Sequence, residues 1–163
     1  MKKLLIARHA RTEEAGKDDA HRTLSETGIT DTREMGQKLK AKHIKVDKIY
    51  SSHLRRAVAT AQILGQVLNF PQENIEEIAP DYHSSPEELL AFVQQLDDAL
   101  DTVLIVNHNT PVTHLVDLLT NTTQEMLNPS CVAEVDFEIE HWSEVVAGKG
   151  KLIKIEHPSF DHY

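Results

Sequence analysis

The chain has 163 residues, enough to bury a core without disulfide or metal staples, and its 40% hydrophobic and 26% charged residues are the balance of a water-soluble globular protein. A formal net charge of -9 argues against a general binder of nucleic acid or of anionic membranes, both of which call for a basic face. The lone cysteine, Cys131, leaves no internal disulfide, the apolar run over residues 4–7 is too short for a signal-peptide core, and no segment approaches a membrane span, so a cytoplasmic protein with a single domain over 1–163 is expected.

Residues 2–8, KKLLIAR, read as a buried strand. A charge-rich loop over 12–22 follows, and in LSETG the hydroxyl of Ser25 N-caps a helix running to about residue 42 with Ile29, Met35 and Leu39 inward. VDKIYSS is a second short strand. Leu54, Ala57, Ala61, Leu64 and Leu68 then recur three and four residues apart, the stripe of an amphipathic helix. ENIEEIAP supplies a third strand. Ser85-Pro86-Glu87-Glu88 is a capping box with proline at the first helical position; its helix carries Leu89, Val93, Leu96 and Leu100, with Asp97, Asp98 and Asp101 as a solvated end. DTVLIVNH, a continuous apolar run, is the central parallel strand, and a helix over 110–120 follows it. Val135, Phe137 and Ile139 alternate with Asp136, Glu138 and Glu140 in a half-exposed strand, AGKGK turns the chain, and LIKIEH returns as an antiparallel neighbour, with Trp142 sealing the sheet edge beside this hairpin. The order predicts an α/β fold: a three-layer sandwich with a mostly parallel central sheet, helices on both faces and a C-terminal antiparallel hairpin.

In such sheets ligands bind beyond the carboxyl ends of the parallel strands. Strand one ends in Arg8-His9, strand two in Ser51-Ser52 with Arg55 and Arg56 on the following helical turn, and the central strand in Asn107-His108-Asn109. Two histidines and at least two arginines therefore converge on one rim. Guanidinium forks match phosphate oxygens, and a neutral imidazole among them is able to attack phosphorus, so a phosphoryl group is the anion this rim suits.

The motifs ARHA, SSHLRRAVAT and VLIVNHNTP, in that order, resemble those of the histidine phosphatase (phosphoglycerate mutase-like) superfamily. Ser52, Arg56, Ala57 and Thr60 match its second motif and set the register, which passes over Arg55. The short length, TLSETG and the C-terminal hairpin look closest to the SixA-type phosphohistidine phosphatases. The resemblance implies His9 as nucleophile, Arg8, Arg56 and His108 as ligands of the phosphoryl oxygens, and no metal or other cofactor. It places a general acid in the loop after the third strand, where Asp81 is the nearest match; Glu13 and Glu14 are rivals, and a phosphoramidate leaving group has less need of an acid. Arg22 reaches the phosphate from the long loop or is solvated. Ala10 stands where many members have glycine, and Asn107 where a small residue is common. The 51 residues between Arg56 and His108 leave no room for the helical lid of larger relatives. An open pocket suits a phosphorylated protein side chain, phosphohistidine first, and also admits a small phosphoester.

The other histidines (His21, His43, His53, His83, His114, His141, His157 and His162) read as surface or packing residues, and no spacing among them suits a metal. Cys131 lies far along the chain from any base. A phosphate-recognition module without turnover, and a mutase passing phosphate between hydroxyls, are the competing functions; the mutase lacks the segment that would keep water out.

Overall fold

The computed structural model describes residues 1–13, 22–79 and 85–159. Six strands, β1 (Lys2–Arg8), β2 (Lys48–Ser51), β3 (Glu76–Glu77), β4 (Thr102–Asn107), β5 (Val132–Phe137) and β6 (Lys151–Glu156), form one sheet in the order β3-β2-β4-β1-β5-β6. The first four in that order run parallel, and β5 and β6 are antiparallel additions. The helices are α1 (Glu26–Ala41), α2 (Arg55–Val67), α3 (Pro86–Gln94) and α4 (Pro111–Thr120).

The alternation of each strand divides the core in two. Leu5, Ala7, Ile49, Leu104 and Val106 point to one face, covered by Met35 and Leu39 of α1 and by Ala57, Ala61 and Leu64 of α2. Leu4, Ile6, Val103 and Ile105 point to the other, covered by Leu89 and Val93 of α3 and the apolar stripe of α4. With most of these side chains fully buried, each leucine or isoleucine contributes roughly 1.5–3 kcal/mol. This is the three-layer α/β architecture anticipated above. No helix among the described residues is long and apolar enough to cross a membrane.

Several local expectations are corrected. The third strand is only two residues long, both glutamates exposed on the sheet edge, because Ile78 turns inward to the core directly after it while its N–H still bonds Ser51 O. Helix α3 stops at Gln94 rather than reaching Leu100. The aspartates beyond it bond locally instead of extending the helix: Asp97 Oδ1 accepts from Ala99 N, and Leu100 N donates to Asp97 O. Asp97, Asp98 and Asp101 are exposed as expected; Asp98 also accepts the backbone N–H of Trp142, and Asp101 pairs with Lys2.

Strand β5 starts earlier than expected and ends at Phe137, with Ile139 beyond it, while the alternation itself holds: Val135, Phe137 and Ile139 are buried, Asp136 is half-buried, and Glu138 and Glu140 are exposed. Its acidic face is roofed by lysines: Glu134 lies between Lys3 and Lys42, and Asp136 also meets Lys3. Nor does Trp142 seal the sheet edge. It lies in the long β5–β6 connection, fully buried in the core on the α3 and α4 side, with its indole N–H donating to Leu100 O at 2.8 Å.

Candidate active site

The parallel pairing of β1 with β4 sets Arg8 beside Asn107, so Arg8-His9 and Asn107-His108 leave the sheet together. His9 is pinned through its backbone, its N–H donating to Asn107 O (3.0 Å) and its carbonyl accepting from Ser130 N (3.3 Å). On the other side of β4, Ser52 N donates to Val106 O, and the Ser52 hydroxyl accepts from Leu54 N as the chain turns into α2. One turn into that helix, Thr60 Oγ1 donates to Arg56 O (2.7 Å) and accepts from Ala10 N (2.9 Å). Thr60 thereby ties the helix of Arg56 to the loop of His9.

The result is direct contact between the two motifs. Arg56 Nε donates to His9 Nε2 at 3.2 Å. A guanidinium N–H can only donate, so Nε2 carries the lone pair and the proton is on Nδ1, which donates to Ala10 O at 2.8 Å. His9 is held uncharged: burial pushes its pKa down to about 4 against the opposing pull of the Ala10 carbonyl, the next-largest influence, and the positive charges of Arg56 and Arg8, with His108, push it the same way as burial. Arg8 Nη1 donates to Leu127 O (2.8 Å), an acceptor shared with Asn109 Nδ2 (3.0 Å). Asn109 and Leu127 are both held by the buried hydroxyl of Thr113, which donates to Asn109 Oδ1 and accepts from Leu127 N. That bracing set of Asn109, Thr113 and Leu127 has no signature in the sequence, because its key acceptor is a main-chain carbonyl.

A cleft of about 590 Å³ opens over His9, and Arg8, Arg11 and Arg22 line it. Arg22 bonds the hydroxyl of Thr12. Arg11, absent from the sequence-derived candidates, was visible as the second arginine of RHAR. Arg55 faces a neighbouring groove beside Gln62 and Gln66. Glu13 is exposed and is not among the described residues lining the cleft. Asp81 and Glu14 lie outside the described residues, as do His21, His83 and His162. A second cavity of about 660 Å³, between α3 and α4, carries Glu87 and Asp117 and no arginine, the wrong polarity for a phosphoryl anion. Among the described residues no group of three or more His, Cys, Asp or Glu is arranged to hold a metal ion. Cys131 is buried, and burial pushes its thiol up to about 11, far from a reactive thiolate.

Comparison with known proteins agrees with this geometry. Residues 4–80 match the model of the histidine phosphatase superfamily (branch 1). The chain is 27% identical over 139 residues to phosphohistidine phosphatase SixA of Escherichia coli (strain K12), spanning 83% of this chain and 85% of that protein. Over residues 4–80, just under half of the chain, it is similar to the histidine phosphatase superfamily. A structure of the protein histidine phosphatase SixA complexed with tungstate superposes with a TM-score of 0.82 at 25% identity, covering 96% of this chain and 97% of that one. Phosphoserine phosphatase of Entamoeba histolytica, in complex with 3-phosphoglyceric acid, shares the fold at 18% identity and a TM-score of 0.68, covering 98% of each chain. The similarity to the superfamily over residues 4–80 and to SixA over most of both chains supports a phosphatase of the histidine phosphatase type.

Proposed function

We propose that the chain hydrolyses protein phosphohistidine in two steps, through a phosphohistidine intermediate on His9 and without a metal. His9 Nε2 attacks phosphorus while the bond from phosphorus to the substrate's imidazole nitrogen breaks. Arg8, Arg56 and His108 surround the transferring group and offset its charge, the electrostatic contribution such transfers depend on. The leaving imidazole takes a proton from solvent water at its free ring nitrogen and so departs neutral, and the hydroxide left behind is neutralised by the proton that the attacking water gives up in the second step. Water then attacks the phosphorus on His9, inorganic phosphate leaves, and Nε2 recovers its lone pair. Because imidazole is a better leaving group than an alkoxide, the demand on a protein acid is small; Asp81, ahead of Glu13 and Glu14, is assigned that proton where an oxygen leaves instead.

The observation that carries this reading is the state of His9: buried, uncharged, its Nδ1 spent on Ala10 O and its Nε2 turned toward the Arg56 guanidinium. A phosphoryl group would take over that guanidinium and uncover the lone pair. The relationship to SixA over most of both chains supports phosphohistidine as the phosphoryl carrier, and the existence of a SixA structure complexed with tungstate supports an oxyanion as ligand.

The test is acid-quenched trapping of radiolabelled phosphate from a phosphorylated histidine peptide. Acid-labile, base-stable label on the wild type, absent from His9→Ala, is expected. Label retained by His9→Ala overturns the nucleophile. Binding of the peptide with no phosphate release at high enzyme concentration would make the chain a recognition module. Turnover of sugar-acid phosphates but not of the peptide would make it a small-molecule phosphatase.

A further inference from the structure

We infer that Asn107 is a positioning residue of the site: it fixes the two histidines at the sheet edge relative to each other, and its side-chain carbonyl sets the main chain of His108 for contact with the phosphoryl group. The inference rests on the role assigned to His108 above and adds a residue which that assignment does not use.

One asparagine bonds both histidines. Its main-chain carbonyl accepts the N–H of His9 at 3.0 Å, and its side-chain Oδ1 accepts the N–H of His108 at 2.8 Å. The first bond continues the pairing of β1 with β4 and is open to any residue at this position. The second is not. Toward β2 the pairing closes with Ser52 N donating to Val106 O, after which that chain turns into α2, and the N–H of His108 is met by the side chain before it. His108 O then accepts from Val112 N (3.2 Å) as α4 begins. Both peptide groups flanking His108 are thus held, as both are at His9, whose carbonyl takes Ser130 N. A glycine or alanine in place of Asn107 would keep the bond to His9 and lose the bond to His108.

Burial separates the acceptor of Asn107 from its packing. The residue is fully buried at the end of a strand that is apolar from Val103 to Val106. With Oδ1 turned to His108, Nδ2 faces away, and that nitrogen is buried without a hydrogen-bond partner among the described residues. A buried amide donor with no acceptor works against stability, and an aliphatic side chain would fill the same space without that loss. What asparagine adds here is therefore the oxygen on His108 N. Its placement bears on rate, because stabilisation of a transferring group depends on ligands fixed before the reaction, and a misplacement of about 1 Å can cost on the order of 100-fold.

The experiment is a double-mutant cycle on kcat, with a phosphohistidine peptide and an aryl phosphate as substrates. Asn107→Ala should lower kcat about 10-fold or more on both, with KM nearly unchanged, because the phosphoryl group they share is what His108 meets. In a His108→Ala background the same substitution should bring no further loss. An equal loss there overturns the inference, since a general weakening of the site acts in either background. An Asn107→Ala protein with the wild-type kcat overturns it too. Hydrogen exchange gives a reading that needs no variant: the His108 amide of the wild type should exchange slowly. Exchange as fast as in an open loop overturns the inference even if Asn107→Ala does not fold or His108→Ala has no measurable activity. Asn107→Asp, which keeps the acceptor oxygen, should leave that amide slow where Asn107→Ala makes it fast. Turnover of the aryl phosphate but not of the peptide would remove the phosphohistidine reading and leave this inference standing, whereas a His108→Ala variant as active as the wild type would remove the role of His108 and the inference with it.

Discussion

Arg56 and His9 meet nitrogen to nitrogen, the guanidinium Nε donating to the imidazole Nε2 across 3.2 Å. The contact joins two motifs 47 residues apart and decides three things together. It assigns the tautomer, it adds a positive charge that opposes protonation, and, in the mechanism proposed, it holds a ligand for the phosphoryl oxygens beside the attacking nitrogen.

The first prediction concerns the charge of His9. Its pKa in the folded protein is about 4 against an ordinary 6.5, so the ring should stay neutral through the whole physiological range. Titration of the His9 ring signals by NMR should show a midpoint near pH 4. Arg56→Met should move it up toward 6.5 by removing one of the opposing charges. The same variant should lose about 10²–10³-fold in kcat, the scale seen when one preorganised transition-state contact is removed. Because the folded pKa lies below the unfolded one, the His9 contribution to stability is complete above about pH 6.5 and drains away as pH falls toward 4. A His9 midpoint near 6.5 would remove the electrostatic account of this nucleophile.

The sequence made the strand ends legible because they combine continuous apolar runs with abrupt polar termini; Arg8, His9 and His108 sit at such junctions, and Arg56 lies on the first turn of the helix after one. The α1 and α3 starts were equally plain, since the hydroxyls of Ser25 and Ser85 each accept a backbone N–H three residues on. What stayed hidden depends on partners distant in sequence. Glu134 alternates like a surface residue, yet Lys3 and Lys42 bury it. Leu96 and Leu100 continue the helical spacing of α3, but local bonding of Asp97 ends the helix before them. The Leu127 carbonyl that holds Arg8 carries no side-chain signal at all.

Thr60 offers a second prediction. Its hydroxyl accepts the fully buried Ala10 N–H and donates to Arg56 O. Thr60→Val keeps the shape but leaves that N–H without its acceptor, at a cost of about 1–3 kcal/mol. Urea denaturation should show a loss of this size. Activity should fall as well, through kcat, because the His9 loop loses its tie to the Arg56 helix. Unchanged stability would mean that Ala10 N finds another acceptor.

The lysine-roofed Glu134 supplies a third. Burial pushes its pKa up, but hydrogen bonds and charges from Lys3 and Lys42 outweigh this and hold it below the ordinary 4.5. A depressed carboxylate contributes stability above its unfolded pKa and loses it as pH falls through the folded value. Glu134→Gln should therefore cost about 1–3 kcal/mol at pH 7, moderated by the partial exposure of both lysines, and much less near pH 3. Denaturation curves of the two proteins at both pH values measure the difference. An equal loss at pH 7 and pH 3 would show that shape rather than charge holds this part of the sheet.

Gly28 tests the wall of the cleft. It lies in the first turn of α1, where alanine ordinarily stabilises a helix by roughly 0.5–1 kcal/mol. Here a Cβ would overlap the carbonyl oxygen of Arg11 and lie 3.0 Å from its nitrogen, and main chain cannot swing aside as the end of a side chain does. That same carbonyl is the acceptor for Ser25 N, so relief of the overlap breaks the tie between α1 and the Arg11 segment. Overpacking of this kind costs about 1–3 kcal/mol, more than the helical gain. Gly28→Ala should lower Tm by several degrees, at about 2–4 °C per kcal/mol for a chain of this size. A higher Tm instead would mean that the Arg11 segment yields without loss and is not a firm wall of the cleft.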